Sequence, residues 1–152
     1  MSPSPHRRQP RRMTPDEIRA QARRITEELF NQGDLAVIDE LVDPDYTQYL
    51  AAEDRTTGSR ELAGFITAMR RAFPDLRAHT DQQVVEGDTL AQRLTITGTH
   101  DGDAFAGLPP ATGARLRVSL VDIYRIGPSG RFTHRWMLWD EHAVRAQLRI
   151  AS

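Results

Sequence analysis

The chain has 152 residues, with 20 Lys and Arg against 21 Asp and Glu and no cysteine. That length suits one domain with a substantial apolar core, and the lack of Cys excludes disulfides, thiolate metal sites and a Cys nucleophile. A net charge of −1 gives no general attraction to nucleic acid or anionic membranes, and no stretch approaches the about 18 apolar residues of a membrane span. Residues 1–13 read as a disordered basic tail. Arg7, Arg8, Arg11 and Arg12 stand there near prolines, with no apolar run of a secretion signal. Residues 14–152 read as a single domain, and a chain without Cys or leader is expected in the cytoplasm.

Thr14-Pro15-Asp16-Glu17 opens a helix as a capping box with Pro at its first position. Ile18, Ala22, Ile25 and Leu29 follow at helical spacing, and Gly33 ends it. Asp34 can cap a shorter helix over Leu35–Val42, which Asp43-Pro44-Asp45 breaks. Tyr46–Leu50 reads as a short strand and Ala51–Gly58 as a loop. Ser59 then caps a helix from Arg60 to Phe73 that Pro74 stops. Beyond Pro74 the period becomes two. Leu76–Glu86 and Thr89–His100 flank the turn Gly87-Asp88; Arg115–Ile126 and Arg131–Asp140 flank Gly127–Gly130. Asp101–Ala114 is a Gly/Pro-rich loop, and Glu141–Leu148 is a last short helix. Helices first and long strands after argue α+β: a curved antiparallel sheet wrapped around N-terminal helices, a cone whose mouth admits a ligand.

The segment Arg131–Asp140 invites a chemical reading. On a regular pleat Phe132, His134, Trp136, Leu138 and Asp140 share one side, a plausible pocket wall for proton chemistry. His134 is placed to orient substrate or shuttle a proton near neutral pH. Asp122 and Tyr124 alternate with Leu116, Val118 and Leu120, so Asp122 reads as a polar lining group or a mate for Arg93 or Arg135. Tyr46, Tyr49, Phe65, Met69, Phe73, Phe105 and Trp136 are candidates for a flat, apolar substrate-binding wall, with ordinary core packing as the other reading. Tyr124 and Arg93 complete the candidate binding set. No His or carboxylate cluster has metal-ligand spacing, so no metal is expected. Thr95, Thr97, Val121 and Ile123 on the outer side of the sheet suggest a homodimer through that face.

The middle of the chain reads Gly98-Thr99-His100-Asp101-Gly102, then Phe105, then Gly107-Leu108-Pro109-Pro110-Ala111-Thr112-Gly113. Together with Phe30–Asp34, Val85–Asp88, Trp136 with Asp140, and Gln147-Leu148, this resembles the SnoaL-like polyketide cyclases, of the nuclear transport factor 2-like cone fold, over roughly residues 15–148. The chain departs from the family pattern at Ala111, an extra residue, at Arg149, where Gly is frequent, and at His134, where Glu is frequent.

The resemblance implies a cofactor-independent enzyme acting on an aromatic, anthracycline-type polyketide, with Asp140 as general acid/base of an intramolecular aldol closure. The substrate methylene between two carbonyls is already acidic, and an Asp made more basic by an apolar pocket can remove its proton. Asp140 also fits a second role, capping the last helix through an N–H near Ala143. His100 either points into the cone as a third catalytic group or pairs with backbone at the bend. Relatives linked to hydroxylation of polyketides supply an alternative reaction, and a non-catalytic small-ligand binding module is a further alternative. Limonene-epoxide hydrolases of the same fold use an Arg-x-Asp pair; here Arg93-Leu94-Thr95 lacks the carboxylate, which argues against epoxide opening.

Overall fold

The computed structural model of the chain describes residues 11–50 and 55–150. The first ten positions of the expected basic tail lie outside the described residues; Arg11 and Arg12 are exposed, and Arg11 reaches Glu17 at 2.7 Å. Helix α1, Pro15–Arg24, starts at the anticipated capping box. Thr14 Oγ1 accepts from the Glu17 N–H, and the Glu17 carboxylate accepts from the Thr14 N–H. The periodicity anticipates an uninterrupted helix as far as Gly33, but Ile25–Asn31 widens into π-helix. Tertiary hydrogen bonds anchor this stretch. The Asn31 amide accepts from Ala78 N–H at 2.7 Å and donates to Ala78 C=O at 3.0 Å, and Arg70 donates to the carbonyls of Phe30 and Asn31.

Helix α2, Ala36–Leu41, leads directly into strand β1, Val42–Leu50, longer than the strand read from the sequence. Part of the expected loop 51–58 is instead a short strand β2, Arg55–Thr57; positions 51–54 lie outside the described residues. Helix α3, Ser59–Ala72, is capped one residue earlier than expected, by Gly58, whose N–H donates to Glu61 at 3.0 Å. Strands β3, Arg77–Glu86, and β4, Thr89–Thr99, turn at Gly87, whose φ of 60° suits glycine. Strands β5, Arg115–Ile126, and β6, Phe132–Trp139, form the second hairpin, and α4, Glu141–Leu148, follows.

The six strands make one curved sheet in the order β2-β1-β6-β5-β4-β3. The β3–β6 meander is antiparallel as expected, but β1 joins it in parallel beside β6. The chain is thus mixed α+β, with helices on the concave face. Strand β5 alternates without interruption: Leu116, Val118, Leu120, Asp122, Tyr124 and Ile126 are buried and the residues between them exposed. Two apolar clusters fill the concave side. One lies under α1, the π-helix and α2; the other joins the end of α3 to β3–β5 and α4. No described helix is long and apolar enough to cross a membrane.

Candidate active site

The facing of β6 is decided by one residue. Arg125 pairs with His134, but Ile126 pairs with Phe132, leaving Thr133 as a bulge. A bulge inverts the side-chain parity beyond it. Phe132 is buried as expected, but His134, Trp136 and Leu138 now face outward, and Arg135, Met137 and Trp139 face the cone. The pocket wall expected from His134 and Trp136 therefore does not form. His134 shares Nδ1 with Thr133 Oγ1 at 2.9 Å and stacks on Trp136 with centroids 5.7 Å apart. Tyr49, expected in the cone, completes this outer ladder at 5.3 Å from Trp136, because β1 alternates against β6 with Tyr46 and Gln48 buried. Arg93 is also outside, exposed and paired with Asp81 at 3.3 Å.

The concave face holds a polar cluster in apolar surroundings. Arg135 Nε and Nη2 donate to Asp122 Oδ2 at 3.0 and 2.7 Å, and Nη1 donates to Gln48 Oε1 at 3.2 Å. The Tyr46 hydroxyl donates to the same Gln48 oxygen at 2.9 Å, and the Arg135 guanidinium lies 5.3 Å from the Tyr124 ring centroid. Asp122 and Arg135 are 1% and 5% exposed, so water screens neither charge. Gln92 sits between Gln83 and Asp122 in the strand register, and the Gln83 amide donates to Gln92 Oε1 at 3.2 Å. The other Asp122 oxygen, Oδ1, is buried with no donor in hydrogen-bonding geometry.

Burial drives the titration of this cluster. It pushes the Asp122 carboxyl above the usual range; the Arg135 guanidinium and the Gln92 amide pull it back only in part. Tyr46 is pushed up to about 12 by burial against the opposing pull of Arg135, and Tyr124 is raised well above the ordinary tyrosine value for the same first reason. For Arg135 burial favours proton loss, but the paired Asp122 carboxylate opposes it and the net shift is upward, so it stays charged.

Toward the end of β6 the burial of the concave side lessens. Met137, Trp139 and, on β1, Leu50 face inward but are only half-buried. Trp139 meets the half-buried Phe65 of α3 edge-on at 6.5 Å. Met69 and Phe73 lie deeper and are fully buried core. Asp140 follows Trp139 at this rim. The resemblance implies a carboxylate inside an apolar pocket; instead Asp140 is exposed, and its Oδ1 accepts from Ala143 N–H at 2.9 Å as the cap of α4. The reason is that the strand ends at Trp139, and the first turn of the helix claims the next side chain.

A family model described as SnoaL-like polyketide cyclase matches residues 20–148. The chain belongs to the SnoaL-like polyketide cyclases. Among solved structures it is similar to AclR from Streptomyces galilaeus, a candidate hydroxylase, at 27% identity and TM-score 0.79 over 91% of this chain and 84% of that one. It is similar to IdmH from Streptomyces antibioticus, a candidate polyketide cyclase, at 27% identity and TM-score 0.74 over 87% and 98%. TsrD from Streptomyces laurentii gives 27% identity and TM-score 0.77 over 90% and 97%. No curated protein matches the chain.

The motif that carries the SnoaL-like resemblance forms the β4–β5 connection, and His100 locks it. The ring is fully buried; Nε2 donates to Asp103 C=O at 2.7 Å, and Nδ1 shares a hydrogen bond with Thr112 Oγ1, also at 2.7 Å. Both nitrogens are spent on the loop, which removes His100 from the catalytic set. Phe105 packs edge-on against Phe73 beneath the same loop. Gly102 sits so close that a Cβ there would stand 1.8 Å from Arg71 O. The extra Ala111 is accommodated at φ 51°, with its N–H bonded to Gly102 C=O. Arg149, in place of the frequent Gly, takes the left-handed position after α4 at φ 58°.

Of the residues expected in the SnoaL-like site, Tyr46, Tyr124 and Phe65 are on the concave side and Asp140 is at its rim. Gln48, Gln92, Arg135 and Met137 join them there without a sequence motif that marks them as site residues. The unbroken alternation of β5 was the available signal, since it puts a carboxylate among inward aliphatics and so demands an inward cation.

Proposed function

We propose that the chain is a cofactor-independent enzyme of aromatic, anthracycline-type polyketide biosynthesis that closes a ring by intramolecular aldol addition. The observation that carries this reading is the Tyr46–Gln48–Arg135–Asp122 cluster, set in the wall of an otherwise apolar cone beside a half-buried rim of Phe65 and Trp139. Apolar and aromatic faces take a planar polycycle, and a few fixed polar groups orient it. Asp140 at the rim takes the proton from a methylene flanked by two carbonyls. Such a methylene needs no strong base, and the cap on Ala143 N–H holds the carboxylate in place. The enolate carbon bonds to the carbon of a third carbonyl, remote from the methylene on the same chain, whose oxygen becomes an alkoxide, and the Asp140 acid returns the proton. The product is an isomer of the substrate.

Likeness to AclR supports a second reaction on the same substrate class, hydroxylation. Mass spectrometry of turnover under argon separates the two. Cyclisation is expected to proceed without oxygen and leave the mass unchanged. A product heavier by one oxygen atom, formed only in air, would replace cyclisation with hydroxylation.

We also propose that a second copy covers the outer sheet face. Val121, Ile123 and Leu138 are 44%, 38% and 58% exposed there, and the Tyr49–Trp136 stack lies beside them. A twofold axis sets such a stripe against itself, with Arg93 and Asp81 supplying both signs of charge on the same face. Light scattering at micromolar concentration is expected to give a dimer, and Leu138→Glu a monomer; a monomeric wild type would end the idea.

A further inference from the structure

We infer that Asp122 is a ligand-reading carboxylate: its free oxygen Oδ1 accepts a hydrogen bond from a hydroxyl group of the substrate when Met137 moves aside. The inference rests on the cone being the substrate site, though not on the reaction performed there. Its first support is the asymmetry of the carboxylate. Oδ2 takes both Arg135 hydrogen bonds, at 3.0 and 2.7 Å, while Oδ1 is buried with no donor in hydrogen-bonding geometry, the adjacent Gln92 amide exerting only the weakest of the pulls on the carboxyl. A buried acceptor without a donor costs free energy, and nearly all such groups find a partner. Arg135 holds the carboxylate in one orientation, so the free oxygen is fixed rather than adaptable.

Access supplies the second support. Asp122 stands directly opposite Met137 in the β5–β6 register, and Met137 is half-buried although it faces the cone. One unbranched, flexible, half-buried side chain thus stands next to the carboxylate on the same face, the kind of neighbour that repacks at little cost. The neighbouring inward residues, Leu120 and Tyr124, are buried and rigidly packed. Gln83 Oε1, two strands away in the same inward row, is a second buried acceptor without a donor. Both unmet groups are acceptors, so the complementary ligand presents donors, which means hydroxyls rather than carbonyl oxygens. An upward-shifted carboxyl is the stronger acceptor once ionised, in line with this role.

Binding rather than turnover tests the assignment, so its outcome is separable from that of the cyclase reading. The probes are anthraflavic acid (a dihydroxyanthraquinone whose hydroxyls lie away from its carbonyls) and unsubstituted anthraquinone, titrated into the full chain. A charge-assisted hydrogen bond predicts that the hydroxylated probe binds at least about tenfold tighter. In Asp122→Leu/Arg135→Met, which exchanges the ion pair for apolar groups of similar size, that preference is expected to vanish. Equal affinities in the wild type are the result expected if an internal water already satisfies Oδ1. That result, no saturable binding of the hydroxylated probe, or a preference that survives in the double variant would each overturn the inference. The wild-type comparison stands alone if the double variant does not fold.

Discussion

Asp140→Asn is expected to lower turnover by on the order of 10²–10⁴-fold, the usual contribution of one positioned acid/base group, while the melting temperature stays within error of wild type. The variant separates the two roles this side chain holds. Asn caps a helix as well as Asp does, so the bond to Ala143 N–H at 2.9 Å and the start of α4 survive. What is lost is the capacity to take and return a proton. Asp140→Ala removes both, and an additional loss of about 1 kcal/mol of stability is expected. Paired thermal melts and initial rates on the three proteins decide the matter. Full activity in Asp140→Asn would exclude this carboxylate from proton transfer and move the chemistry inward.

Arg135→Met is expected to be the most damaging single change to stability, by about 3–5 kcal/mol, because it strands a buried carboxylate. Asp122 would keep its burial penalty and lose its counter-charge, and Gln48 Oε1 would keep only the Tyr46 hydroxyl as donor. The pH dependence follows from the direction of the shift. Burial raises the folded-state pKa of Asp122, and without Arg135 nothing of opposite charge holds it down. The folded variant then holds the proton more tightly than the unfolded chain does. Its stability is therefore greatest below the unfolded Asp value of about 3.9 and falls as pH rises toward the folded value. Urea denaturation of wild type and variant across pH should show the gap narrowing in acid. A gap independent of pH would mean that Asp122 is not the group left stranded.

Most of the architecture was legible in the sequence because local chemistry and tertiary structure agree. Thr14 and Glu17 close the capping box that their spacing announces. Gly87 supplies the positive φ its turn requires, and α4 runs over the residues assigned to it. The π-helical stretch was not legible, since its anchors, Ala78 and Arg70, lie far along the chain. The parallel seat of β1 beside β6 was hidden for the same reason: strand pairing between distant segments leaves no periodic mark.

The site divides along the same line. Composition and periodicity by themselves determined an α+β cone with an apolar interior and a carboxylate, Asp122, among inward aliphatics of β5. Which side chains of β6 enter that cone was decided only in three dimensions. Strand parity is a running count, and one bulged residue, Thr133, resets it. His134 and Trp136 thereby moved to the outer face, while Arg135 and Met137 came inside against Asp122.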